Sequence, residues 1–202
     1  MKKLLVNLAL LGVVSAAVPA FADRALYESC AACHGDQAEG KKTLSAPRLA
    51  GQNARYLTEQ LDNFRSGARG THADDMQGLM MAVYAKNLND GDIESLASFL
   101  SKLKLTGKKN GSTTGDVAQG KRIYAESCLA CHGVEGKGVE SLYTPNLRIL
   151  SASYLERQLD AYRNGWRGDG EQGTTRSKSM RSIVTQLNGK TDVQDLLAYL
   201  TH

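Results

Sequence analysis

The chemistry most easily read from this chain belongs to its four cysteines. They fall as Cys30-Ala31-Ala32-Cys33-His34 and Cys128-Leu129-Ala130-Cys131-His132, two Cys-x-x-Cys-His pentads 98 residues apart. On a helical turn, cysteines three apart lie on one side, within reach of the two vinyl groups along one porphyrin edge. The histidine after each pair can offer an imidazole nitrogen to an iron. The pentad is therefore an attachment signal for c-type haem. Its double occurrence predicts two covalently bound haem c groups, one on Cys30 and Cys33, the other on Cys128 and Cys131, with His34 and His132 as iron ligands.

Other uses of the same residues fit less well. A zinc site made from two Cys-x-x-Cys pairs uses them across a short connection, not across 98 residues. A thioredoxin-like redox pair needs βαβ surroundings, and no stretch of the chain alternates as a strand would. Two disulfides are the usual arithmetic for four cysteines in an exported protein, but they leave both histidines unexplained.

Export is itself an expectation. Met1-Lys2-Lys3 opens the 202-residue chain with positive charge, and Leu4 to Val18 is an apolar run broken only by Asn7 and Ser15. Ala20-Phe21-Ala22 then supplies a small-x-small cleavage pattern, so residues 1–22 read as a signal peptide cut before Asp23. The run is about 15 residues, short of the roughly 20 that a spanning helix needs. No later stretch approaches that length, which points to a periplasmic protein with at most peripheral membrane association. With 23% charged and 42% hydrophobic residues and three prolines, the chain is globular in composition. The formal charge of +4 falls further once Lys2 and Lys3 are removed, too balanced for a nucleic-acid binder.

Stepping outward from the pentads, the two halves repeat. At an offset of 98, Gly35 matches Gly133, Pro47 matches Pro145, Tyr56-Leu57 matches Tyr154-Leu155, Gln60-Leu61-Asp62 matches Gln158-Leu159-Asp160, and Arg69-Gly70 matches Arg167-Gly168. Single-residue gains in the second half then bring Met81 opposite Met180 and Leu96 opposite Leu196. The pattern predicts two domains, residues 23–105 and 117–202, joined by a polar Gly/Thr/Lys linker at 106–116. Each reads as all-α. A first helix leads into the cysteines, clearest from Ala118 to Ser127. An apolar stripe beginning at Tyr56 or Tyr154 closes at Gly67 or Gly165. A terminal helix carries Ile93-Leu96-Leu100 or Val193-Leu196-Leu200, with Asp92 or Asp192 in its first turn. Domains this small bury a thin core, which a flat apolar macrocycle would complete.

Taken together, Cys30 to His34, Pro47-Arg-Leu-Ala-Gly-Gln52, Tyr56-Leu-x-x-Gln-Leu-x-x-Phe-x-x-Gly67 and Met81 through Ala85-Lys-Asn-Leu88 resemble the class I c-type cytochromes, and specifically the dihaem cytochrome c4 family, over nearly the whole mature chain. The resemblance implies two tandem class I cytochrome c domains, electron shuttling without substrate turnover, and packing about a pseudo-two-fold axis. It implies that the Pro47 and Pro145 carbonyls hold the Nδ1–H groups of His34 and His132. It places Leu26 against Phe99, and Tyr124 against Tyr199, where first and last helices meet. A glycine expected eight residues before the first cysteine is present as Gly120 but replaced by Ala22, so the first helix of domain 1 is expected to be short and loosely docked. It also puts a methionine thioether on iron, from the loop before the final helix. The second half offers only Met180. The first offers Met76, Met80 and Met81, and the seven-residue spacing to Leu88, equal to that from Met180 to Leu187, selects Met81 over Met80.

The remaining conspicuous residues read as ordinary. His72, in a polar stretch, is expected to be a solvated loop residue instead of a ligand. Trp166 is expected to pack over the haem edge; Arg167-Gly168-Asp169 resembles an adhesion tripeptide by coincidence. Residues 23–105 carry 10 basic and 11 acidic side chains, whereas 117–202 carry 11 and 9, an asymmetry that orients encounters. The functional expectation is an electron carrier, not an enzyme. It would run between an upstream donor, such as a quinol-oxidising complex, and a membrane-bound terminal oxidase. The alternative is a cytochrome subunit of, or a catalytic dihaem in, a periplasmic oxidoreductase of sulfide dehydrogenase, thiosulfate dehydrogenase or peroxidase type; the catalytic form would need an open or unusually ligated iron.

Overall fold

The computed structural model describes residues 18–106 and 113–202, and of residues 18–22 the backbone alone. The proposed signal peptide up to residue 17 and linker residues 107–112 lie outside the described residues. Among those described there are helices, 3-10 turns and loops, with one isolated bridge between Lys41 and Ala46. The first half comprises α1 (Val18–His34), α2 (Ala54–Ser66), α3 (Met76–Ala85) and α4 (Asp90–Lys102). The second comprises α5 (Val117–Ser127), α6 (Leu129–His132), α7 (Ala152–Arg163), α8 (Thr175–Val184) and α9 (Gly189–Thr201).

The helix ends follow local chemistry. Asn89 and Asp92 form a reciprocal capping box that opens α4. Ser151, Thr174 and Asp116 each cap α7, α8 and α5 with a side-chain oxygen. Gly67 ends α2 in the left-handed conformation, at φ 81°. The ends of the expected linker are tied down: the Arg48 guanidinium donates to the Thr106 carbonyl at 2.7 Å, and the Asp116 amide donates to Asp195 Oδ1 at 2.7 Å.

First and last helices pack in each half, α1 on α4 and α5 on α9, while α2 packs on α4 and carries α3, and α7 packs on α9 and carries α8. The crossing of α5 and α9 is so close that a Cβ at Gly120 would overlap the Asp195 carbonyl. Beyond the proposed cleavage point the first helix runs unbroken from Asp23 to His34, with Tyr27 fully buried. One sequence expectation needs correction here. The ring facing Phe99 is Tyr27, at 5.9 Å between centroids, and not Leu26, which packs beside it. Tyr27 donates to the Gly35 carbonyl and Tyr124 to that of Gly133, both at 2.6 Å. These tyrosines are therefore true counterparts, one residue off the 98 offset. The second half absorbs the extra residue at Cys128, where α5 breaks from α6.

Because overpacking at a tight helix crossing costs about 1–3 kcal/mol, Gly120→Ala should lower stability by that amount in a chemical denaturation curve. An unchanged midpoint would mean that α5 and α9 can part without cost.

Candidate functional site

Each pentad ends a helix, so its histidine is delivered into the base of a domain. His34 and His132 are both buried. His34 Nδ1 lies 2.9 Å from the Pro47 carbonyl oxygen, which fixes the N–H on that nitrogen and leaves Nε2 free as a ligand. Burial lowers the pKa of both rings, that of His132 to about 4, so both are neutral imidazoles; the two proline carbonyls oppose that fall. The second half is the looser. Pro145 lies close enough to act on His132, yet among the described residues His132 Nδ1 makes no well-formed hydrogen bond.

No disulfide joins any of the four cysteines, against the disulfide alternative. Burial raises the pKa of Cys30, and that of Cys128 to about 11. No group of three or more His, Cys, Asp or Glu among the described residues converges as a metal site, against the zinc alternative.

The methionines separate by exposure. Met81 is half-buried against Phe64, Ala82 and Ala85, and Met180 is half-buried against the core of its own domain. Met80 is 53% exposed and Met76 60%. Both inward methionines sit within helices α3 and α8, not on a loop as expected. The signal was present in the Asp75 and Thr174 caps, which accept from Gly78 and Ser177.

These residues fit two haem groups. In the first half the buried apolar side chains form two separate clusters. One packs on Cys30 and the other on Met81. A flat apolar body held on the cysteine side would join them. In the second half one cluster touches both Cys128 and Met180.

The two domains meet through groups that mirror one another. Arg69 donates to Gln60 Oε1 and Gln158 Oε1, each at 2.8 Å, and Arg167 donates to the same two oxygens at 3.0 and 2.6 Å. Arg69 lies over Phe64 and Arg167 over Tyr162, each 4.3 Å from the ring centroid. Only 8% and 6% exposed, neither guanidinium has a carboxylate partner among the described residues. Tyr154 sits beside them. Burial would raise its pKa, but Arg69 and Arg167 outweigh that and bring it down, while burial raises Tyr56. At the rim, Arg176 pairs with Glu59 at 2.8 Å, and Trp166 stacks on His72 with centroids 5.8 Å apart. The Trp166 contact is thus with the other domain's loop, a role not visible from its sequence surroundings.

Paired helical domains, each presenting a Cys-x-x-Cys pair and a buried neutral histidine, define a tandem haem protein. The cytochrome c family model matches residues 24–104 and again 117–202. The chain belongs to the cytochrome c family, and within it to the dihaem cytochrome c4 group. It is 33% identical to cytochrome c4 of Pseudomonas aeruginosa, covering 98% of this chain and 94% of that one. It is 34% identical to the thiosulfate dehydrogenase electron acceptor of Thiomonas intermedia, over 78% of this chain and 73% of the other. The crystal structure of reduced cytochrome c4 from Pseudomonas stutzeri superposes with a TM-score of 0.70 at 28% identity, covering 90% and 97% of the two chains. The chain is accordingly a dihaem electron carrier of cytochrome c4 type with two covalently bound haem c groups.

Gln158 serves a guanidinium from each domain, so Gln158→Leu leaves two buried cationic donors short of an acceptor. The expected loss is about 1–3 kcal/mol, read from denaturant midpoints, with a similar loss for Gln60→Leu.

Proposed function

We propose that the chain is a periplasmic carrier of a respiratory chain, exported by residues 1–22, that delivers electrons to a membrane-bound terminal oxidase. The observation that carries this reading is the pairing, in each half, of one buried neutral histidine with one inward methionine. His34 with Met81 and His132 with Met180 would hold the two irons and leave no place for a substrate.

When bound, each haem supplies a one-electron iron couple. Cys30, Cys33, Cys128 and Cys131 tether it, and Pro47 keeps the His34 ring in one tautomer. Met81 and Met180 offer a soft thioether that favours ferrous iron and raises the potential. Arg69 and Arg167, buried without carboxylates, are suited to the haem propionates. Residues 23–105 and 117–202 act as the two haem domains.

A second reading is supported by the relative from Thiomonas intermedia: the chain accepts electrons from a thiosulfate dehydrogenase. The two readings share the closed-iron site and differ only in the donor. Reduced protein should bind no carbon monoxide, and thiosulfate alone should not reduce the oxidised form. Carbon monoxide binding at either haem would instead identify an open iron and a catalytic role. Reduction rates with a quinol-oxidising complex and with a thiosulfate dehydrogenase then choose the donor, and reoxidation by oxidase-containing membranes checks the acceptor.

The ligands are tested separately. Met180→Ala and Met81→Ala should each abolish the sulfur-to-ferric-iron charge-transfer band of one haem and lower its potential. Met80→Ala should leave both bands in place; the reverse pattern would move the ligand by one residue.

A further inference from the structure

The mirror symmetry of the interface fails beside one of the proposed iron ligands. Gln52, 2% exposed, closes the motif that begins at Pro47 in the first domain. Its side chain reaches across to the second. Oε1 accepts from the Asn146 amide at 2.6 Å, and Nε2 donates to the Asn146 carbonyl at 3.2 Å. Oε1 also accepts from the Asn53 amide at 2.9 Å, which stiffens the turn. Asn53 Nδ2 donates to the Thr144 carbonyl at 2.7 Å. Three bonds from one domain therefore hold the residues on both sides of Pro145 in the other.

At the offset of 98 the counterparts of Gln52 and Asn53 are Leu150 and Ser151. Leu150 lies in its own domain's core, and Ser151 caps α7. Neither can return the grip. The reverse contact is a single bond from Arg157 to the Ser45 carbonyl at 2.7 Å. It falls two residues before Pro47, in a loop already braced by the Lys41–Ala46 bridge. The need is unequal as well. His34 has a well-formed bond to Pro47, whereas His132 Nδ1 has none, so the placement of the Pro145 carbonyl decides how strongly it acts on that ring.

We propose that Gln52 and Asn53 are positioning residues for the second haem: from the first domain they set the Pro145 carbonyl against His132 and thereby tune the reduction potential of the second iron alone. The proposal rests on His132 being the iron ligand. The mechanism is outer-shell tuning. A carbonyl that accepts from the far nitrogen makes an imidazole more basic and favours ferric iron. Releasing the clamp lets the carbonyl drift and raises the potential of haem 2.

The test uses the intact dihaem protein, carrying Gln52→Leu or Asn53→Ala. Leucine preserves volume and already stands at the matching place in the other half. Asn53→Ala leaves the Gln52 contacts in place, so the proposal does not depend on one variant folding. Reduction of each haem is followed separately by hyperfine-shifted NMR signals during a redox titration. Loss of an outer-shell partner costs about 10–100-fold in metal affinity or activity; at the low end of that range, ten-fold in the reduced-to-oxidised ratio is about 59 mV for one electron. Expected is a rise in that ratio at haem 2 approaching ten-fold in the double variant, with haem 1 unmoved and a changed Nδ1 proton shift for His132. A fall, no change at haem 2, or equal changes at both haems overturns the proposal, since general loosening of the interface would move both. If His132 is not the ligand, the unmutated oxidised protein will lack hyperfine-shifted His132 ring protons, a failure seen before any variant is made.

Discussion

Two guanidinium groups held away from water by two amide oxygens are the contact on which the relation between the domains depends. Gln60 and Gln158 each accept from an arginine of their own domain and from one of the other. Such an arrangement is isologous: one patch meets its own copy, and every bond is made twice. Burying two cations with only neutral acceptors is costly. It is tolerable because each charge also rests on an aromatic face, and because the proposed propionates would bring negative charge to the same place. Docking of the domains and loading of the haems would then reinforce one another, for a half lacking its haem would leave its arginine uncompensated.

Around this symmetric centre the halves have diverged. The first pentad closes an unbroken helix, whereas the second follows a break at Cys128 that accommodates one more residue. Helix α3 leaves Met76, Met80, Val83 and Tyr84 exposed, while the matching face of α8 carries Thr175, Ser179 and Ser182. The buried side of both helices is kept, because it holds Met81 and Met180 against the core. What duplication conserves is thus the inward geometry. What it releases is the surface and the loop chemistry next to the ligands.

The haem pentads, the duplication and the all-helical class were legible because each is local: a fixed spacing, a constant offset, a helical stripe. The inward methionine was legible only by aligning two halves, since Met76, Met80 and Met81 are chemically identical and differ in facing. The Tyr27 register was misread because counting residues cannot show where a helix breaks; the break at Cys128 is a backbone event with no marker residue. The interface was invisible for another reason. Gln60, Arg69, Gln158 and Arg167 stood out as repeated polar residues, yet their partners are 89 and 107 positions away. Repeated polar identity on a helix that should pack inward is nonetheless a signal, because a buried polar side chain must find a partner somewhere.

Equal ligands in unequal surroundings are what allow two irons on one chain to differ. With the proposed ligands each half supplies the same donors, so a difference between the couples must arise outside the ligand set, from hydrogen bonding, burial and charge. Charge separates the halves only slightly, and both histidines are similarly buried. The proximal loops differ most: Pro47 is braced within its own domain, whereas Pro145 is gripped from the neighbouring one. A loop braced from within keeps its geometry whatever the partner domain does. A loop gripped from outside carries the docking of the domains into the environment of its iron, so the interface that fixes the separation of the two haems also bears on their relative potentials.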